Sequence, residues 1–171
     1  QVQFVEGSYY ISIINENGTA EEQSVCKSFA EILGNKIVEE SYSFPALLLK
    51  DELLSFQENT KLLKGRLGLE NGFPMWASQF ENLENFKIII MPTETGDDKA
   101  YIGVLEFPDS KVMSDFLGNI HIEPDKIKES PALIEKSKIY VKYFDDNSLL
   151  LIESLGDLSL IDKYIEILDL E

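Results

Sequence analysis

Apolar positions alternate and then run together through Tyr9, Ile11, Ile13 and Ile14, which predicts a strand ending in the turn Asn15-Glu16-Asn17-Gly18. A helical period follows at once. Thr19 with Glu22 three residues on has the spacing of a capping box, in which side-chain oxygens satisfy the orphan N–H groups of a first turn. Val25, Phe29, Ile32 and Leu33 then share one helical face and Gly34 stops it, making this the clearest helix in the sequence. From 36 to 49 the residues are β-like again, with Pro45, which has no N–H for a ladder, implying an edge or irregular start before Ala46 to Leu49. Asp51 is placed to cap a helix whose inner face is Leu53, Phe56, Thr60 and Leu63 and whose end is Gly65. Residues 65–74 read as loop, and Trp76, Phe80 and Leu83 as a short amphipathic helix.

The second half states a simpler unit twice. Strands at 88–91 and 100–107 flank a turn at 93–98, and Val112, Met113, Phe116 and Leu117 form the inner face of a helix ending at Gly118. Strands at 139–144 and 149–153 flank the turn Asp145-Asp146-Asn147, and Leu160, Ile161, Tyr164, Ile165 and Leu168 define a last helix. These are two consecutive ββα units, 87–118 and 138–169, offset by 51 residues with no convincing identity between them. The connection 120–137, with Pro124 and Pro131, links them. Hairpins interspersed with helices predict an α+β fold, a mostly antiparallel sheet with helices packed on one face. A doubly wound parallel sheet is the weaker alternative. No composition shift or low-complexity tract marks a boundary, so 1–171 is expected to be a single globular domain. The hairpin at 139–158, with its Leu155-Gly156-Asp157-Leu158 tail, resembles the last hairpin of acidic secretion chaperones. Those chains open with a helix where this one opens with a strand, and no residue role is carried over.

Composition changes the picture through charge. With 171 residues, 44% apolar and 27% charged, the chain can bury a core and fold throughout. Its 31 acidic and 15 basic side chains leave a net charge of −16. The excess is spread, with 13 acids and 6 bases up to Phe86 and 18 and 9 beyond it. Such a field repels phosphate backbones and anionic headgroups, which argues against nucleic acid and membrane surfaces as ligands, and it speeds encounter with basic proteins. The plainer reading is that the charge keeps the protein dissolved. No apolar run approaches the ~20 residues of a membrane span, so no membrane insertion is expected.

Candidate chemistry is sparse. Cys26, the single cysteine, excludes an internal disulfide, and no Cys/His cluster is spaced for zinc. It lies mid-helix, where an inert thiol is the ordinary reading. His121, the one histidine, stands in an Ile-His-Ile context without a nucleophile and orienting group in sequence reach. So many carboxylates guarantee pairs at hydrolase spacing, and abundance removes the signal. The acidic turns lack the spacing of a calcium loop, and Gly65, Gly68 and Gly72 match no phosphate-binding pattern, so neither metal nor cofactor is expected. Gln1 in place of Met reads as a mature form, a trimmed tag or a piece of a longer chain. The sequon Asn17-Gly18-Thr19 fits an exposed turn, and the compartment stays open between a mature extracytoplasmic form and a cytoplasmic one.

What remains is binding. The expectation is a non-enzymatic, acidic protein-binding domain of inhibitor, immunity, adaptor or chaperone type that engages a basic protein. The alternative is an extracytoplasmic or cell-surface domain that holds a small ligand or another surface protein, and a carboxylate-based hydrolase is the residual case. For the partner surface, the turn acids Glu94, Asp97, Asp98, Asp145 and Asp146 are assigned to steering. Phe73, Met75 and Trp76, large apolar groups beside a proline and a glycine, are assigned to an apolar anchor. The plainer reading of that triplet is a loop folded back onto the core.

Overall fold

The computed structural model describes residues 2–6, 9–15, 18–37 and 44–170. They fall into two compact units, Gln1–Phe44 and Pro45–Glu171. In the first unit β1 (Val2–Glu6) and β2 (Tyr9–Ile13) pair antiparallel, so the opening stretch is a hairpin where a single strand was expected. α1 (Ala20–Gly34) follows, with Thr19 as its N-cap: the Thr19 hydroxyl accepts from the Glu22 N–H and donates to the Glu22 carboxylate at 2.9 Å. The predicted cap and stop are therefore in place. The inner face is rotated from the one expected: Ala30 is buried and Cys26 and Leu33 half-buried, while Val25, Phe29 and Ile32 are 63%, 51% and 53% exposed. Apolar residues stand in adjacent pairs along α1, so periodicity marks a broad stripe without saying which half packs. The small side chains of Cys26 and Ala30 let the helix lie close to what it covers. The sequon residue Asn17 and the β-like stretch 38–43 lie outside the described residues.

The second unit is built on a six-stranded antiparallel sheet in the order β3-β4-β5-β8-β7-β6. β4 (Lys87–Thr95) with β5 (Asp98–Glu106), and β7 (Ile139–Asp145) with β8 (Ser148–Ser154), are the two hairpins read from the sequence. They join along β5 and β8, from Ala100↔Ser154 to Glu106↔Ser148. Short strands close each margin, β3 (Lys61–Lys64) beside β4 and β6 (Ala132–Ile134) beside β7. α2 (Gly65–Gly72), α3 (Ser110–Asn119), α4 (Pro124–Glu129) and α5 (Ser159–Ile167) complete the unit, with 3₁₀ segments at Ala46–Leu49, Asp51–Asn59 and Pro74–Phe80.

The α+β class, the antiparallel sheet and both ββα units stand as expected, and the structure adds a second covered face. On the first face Ile88, Ile90, Leu105, Leu149 and Leu151 pack with Trp76, Phe80 and the α3 residues Met113, Phe116 and Leu117. The alternate residues Ile89, Met91, Ile102, Val104, Leu150 and Ile152 are buried as well, so the strands are apolar on both sides. Here α5 packs: its buried Tyr164 lies beside Thr93, a buried residue of that second set. Lys50 pairs with Asp169 just beyond α5, which places the Ala46–Asn59 segment, with its buried Leu48 and Leu53, beside it. The two ββα units thus share strand order and send their helices to opposite faces.

Tertiary pairing overrides local period between 51 and 74. The helix expected to run on to Gly65 is a 3₁₀ segment that ends at Asn59, because Lys61–Lys64 pairs with Lys87–Ile90 as β3. The expected loop at 65–74 is largely α2: Gly65, at φ +63°, turns the chain out of β3, and a Cβ on Gly72 would stand 2.5 Å from Leu63 Cδ2. Gly65 serves the turn and Gly72 close packing. Gly103 on β5 does the same for the core, since a Cβ there would meet the Trp76 ring at 2.6 Å, and Trp76 is fully buried. Gly103→Ala is expected to destabilise the protein by ~1–3 kcal/mol through overpacking. A urea midpoint unchanged from wild type would show that the ring can yield.

Candidate functional site

The antiparallel pairing of β5 with β8 sends the two hairpin tips to opposite ends of the sheet. The rows Ala100↔Ser154 and Glu106↔Ser148 are six residues apart, about 20 Å at strand rise. Glu94, Asp97 and Asp98 lie at one end and Asp145 and Asp146 at the other, so the five steering acids form two groups. The first tip turns tightly at Gly96 (φ +64°) and Asp97, with Thr95 opposite Asp98, the positive φ falling at the first central residue as in a type II′ hairpin. Its Glu94 is bonded to Lys99 across the hairpin at 2.7 Å. At the second tip the Asp145 carboxylate accepts from the Asp146 N–H at 2.7 Å, and Tyr143 donates its hydroxyl proton to the Asp146 carbonyl.

The aromatic anchor is corrected by the structure. Phe73 and Trp76 are core residues, and only Met75 of the three is on the surface, 50% exposed. The physical reason is the flat floor offered by Gly103, onto which the indole settles, with Phe73 edge-on to Trp76 at 5.2 Å and to Tyr101 at 4.6 Å. The plainer reading, a segment folded back onto the core, is the one observed.

The burial of Trp76 has a polar consequence that sequence reasoning missed. Its indole N–H donates to Glu153 Oε2 at 2.5 Å. Glu153 lies at the end of β8, opposite Tyr101 on β5 and Ile139 on β7, and Pro92 on β4 continues that row. It shares the parity of the inward Leu149 and Leu151, so a half-buried carboxylate stands where the pattern calls for another aliphatic group. Burial raises its pKa above the ordinary carboxylate value, and the indole hydrogen bond opposes part of that rise. A charged residue closing the apolar run Leu149–Ile152 was the available signal.

Beside this row, on the β4 side, an open groove of about 740 Å³ runs between the 3₁₀ segment and the end of β4, with Glu58, Thr60, Pro92 and Glu94 in its wall. β3 stops opposite Ile90, so β4 from Pro92 onward has no strand on that side, and Pro92 carries no N–H to leave unsatisfied there. Lys61, also in the wall, donates to the Gly72 carbonyl at 2.9 Å. This end of the sheet therefore carries Glu58, Glu94, Asp97, Asp98 and Glu153, with Tyr101 in the row between β4 and β8.

His121 follows α3 with φ +61°, and Cys26 is a half-buried thiol in the first unit. Among the described residues no group of three His, Cys, Asp or Glu side chains could hold a metal ion, and no helix is long and apolar enough to cross a membrane. No protein-family description matches the chain, and no curated protein or solved structure is significantly similar to it.

Because the folded state holds the Glu153 proton more tightly than the unfolded chain does, the stability owed to this group is present below the ordinary carboxylate pKa. It is lost as pH rises through the raised value. Glu153→Gln keeps an oxygen for the Trp76 N–H and removes the charge. Its melting temperature relative to wild type is expected to rise by ~1–3 °C between about pH 4 and about pH 8, a gain limited by the solvent that still reaches the side chain. A difference independent of pH in thermal melts would refute the desolvation argument.

Proposed function

We propose that the protein is a non-enzymatic binding domain that engages a basic protein through the acid-bearing end of its sheet. The observation that supports this reading is the gathering of Glu58, Glu94, Asp97, Asp98 and Glu153 at one end, on a chain of net charge −16. Of the bases nearby, Lys99 is paired with Glu94, while Lys61 and Lys138 donate to neutral backbone carbonyls and keep their charge, so the five acids exceed these three bases. A net negative potential steers a basic partner and fixes its approach, and the association it produces weakens with salt.

The second hairpin tip supplies an internal control, since Asp145 and Asp146 carry the same charge at the far end. Charge reversal by Asp97→Lys with Asp98→Lys is expected to slow association with a basic protein retained from the native lysate by roughly tenfold at low ionic strength, while Asp145→Lys with Asp146→Lys changes it several-fold less. Stopped-flow or surface-based on-rates decide the matter. Equal slowing by both pairs would mean that net charge alone acts, and no slowing by either would sink the electrostatic reading.

A further inference from the structure

The reading of a basic partner leaves open what its charged groups meet, and here one carboxylate differs from the rest. Glu94 is paired with Lys99 and exposed at a hairpin tip, as are Asp97 and Asp98. Glu153 is half-buried, among the described residues its one hydrogen-bond donor is the neutral Trp76 indole, and burial, not any neighbouring cation, dominates its electrostatics. Lys99, two residues from Tyr101 on the same side of β5, is held by Glu94. Lys138, next to the strand partner Ile139, is turned to the Gly156 carbonyl at 2.5 Å.

A partly desolvated carboxylate gains more from an incoming cation than an exposed one does, because less water competes for either charge. The surroundings suit one type of cation. Tyr101, half-buried, stands directly across the strand pair from Glu153, and its ring meets Phe73 edge-on at 4.6 Å. A guanidinium can lie on an aromatic face while its N–H groups reach a carboxylate, whereas an ammonium is a compact, strongly hydrated point charge.

The geometry points to Glu153, with Tyr101 beside it and Trp76 fixing its orientation, as the acceptor for one arginine side chain of the partner. This deepens the proposed function and rests on it. The carboxylate is pre-positioned by a buried ring, so its rotamer freedom is already lost before the arginine arrives, which favours binding.

Trp76 is the only tryptophan and touches the acceptor, so its fluorescence reads the site directly. Arginine amide titrated into the wild-type protein at pH 8 is expected to give a saturable change in that fluorescence. In Glu153→Gln, checked as folded by near-ultraviolet circular dichroism, the affinity should fall about tenfold or more, which corresponds to ~1.4 kcal/mol. Asp145→Asn with Asp146→Asn should leave it within twofold. No saturable change in wild type, or equal affinity in Glu153→Gln, overturns the site. Polyarginine at physiological salt separates this from the parent reading: retention by wild type and Glu153→Gln alike removes the Glu153 site and leaves the basic-partner reading standing, whereas no retention by wild type removes both.

Discussion

The pairing of β5 with β8 is the constraint on which the second unit depends. Each hairpin alone would be a marginal two-stranded ribbon, and the seven residue pairs between them turn two ribbons into one sheet. The same register decides every face: Ile102↔Ile152 and Val104↔Leu150 point one way, Gly103↔Leu151 and Leu105↔Leu149 the other. A slip of one residue would move each apolar set to the wrong side. It would also take Gly103 from beneath the Trp76 ring, where no side chain can replace it without displacing a fully buried indole.

The charge distribution follows from that register as much as from composition. Antiparallel pairing sends the tip with Asp97 and Asp98 and the tip with Asp145 and Asp146 to opposite ends of the sheet, the first at the end where Glu153 and the groove also lie. Glu153 is there because Trp76 is: a buried indole needs an acceptor, and the carboxylate at the end of β8 supplies it. One side chain thus completes the core and sets the electrostatic character of the adjoining surface.

How far the sequence carried depended on whether local pattern or tertiary contact decided each segment. The C-terminal hairpins and their helices were legible because apolar strand runs, polar turn residues and helical period agreed there. The Thr19 cap was legible because a cap is a local device. Residues 51–74 were not, since Leu63 belongs to a strand that exists only by pairing with β4, Gly65 supplies a positive-φ turn out of that strand, and Gly72 works by proximity to Leu63. The inner side of α1 was ambiguous for another reason: Val25 with Cys26, and Phe29 with Ala30, offer two neighbouring stripes of the same period. For the site, turn acids could be found by composition, but their division between two ends, and the depth of Phe73 and Trp76, are properties of topology. Glu153 was hidden by its apolar neighbours, whose uniform burial on both sheet faces removed the alternation that would have singled it out.

The opposite placement of α3 and α5 bears on how the chain acquires its structure as it is made. Both hairpin strands of the first ββα unit are available once residue 106 has emerged, and α3 can close the first face soon afterwards. The other side of those strands, Ile89, Met91, Ile102 and Val104, has only the earlier 46–59 segment against it until the chain beyond residue 158 is present. During synthesis part of an apolar sheet surface therefore stands open for the interval it takes to add β6, β7, β8 and α5. In that interval the nascent chain is most prone to wrong pairing and most dependent on whatever shields emerging polypeptides.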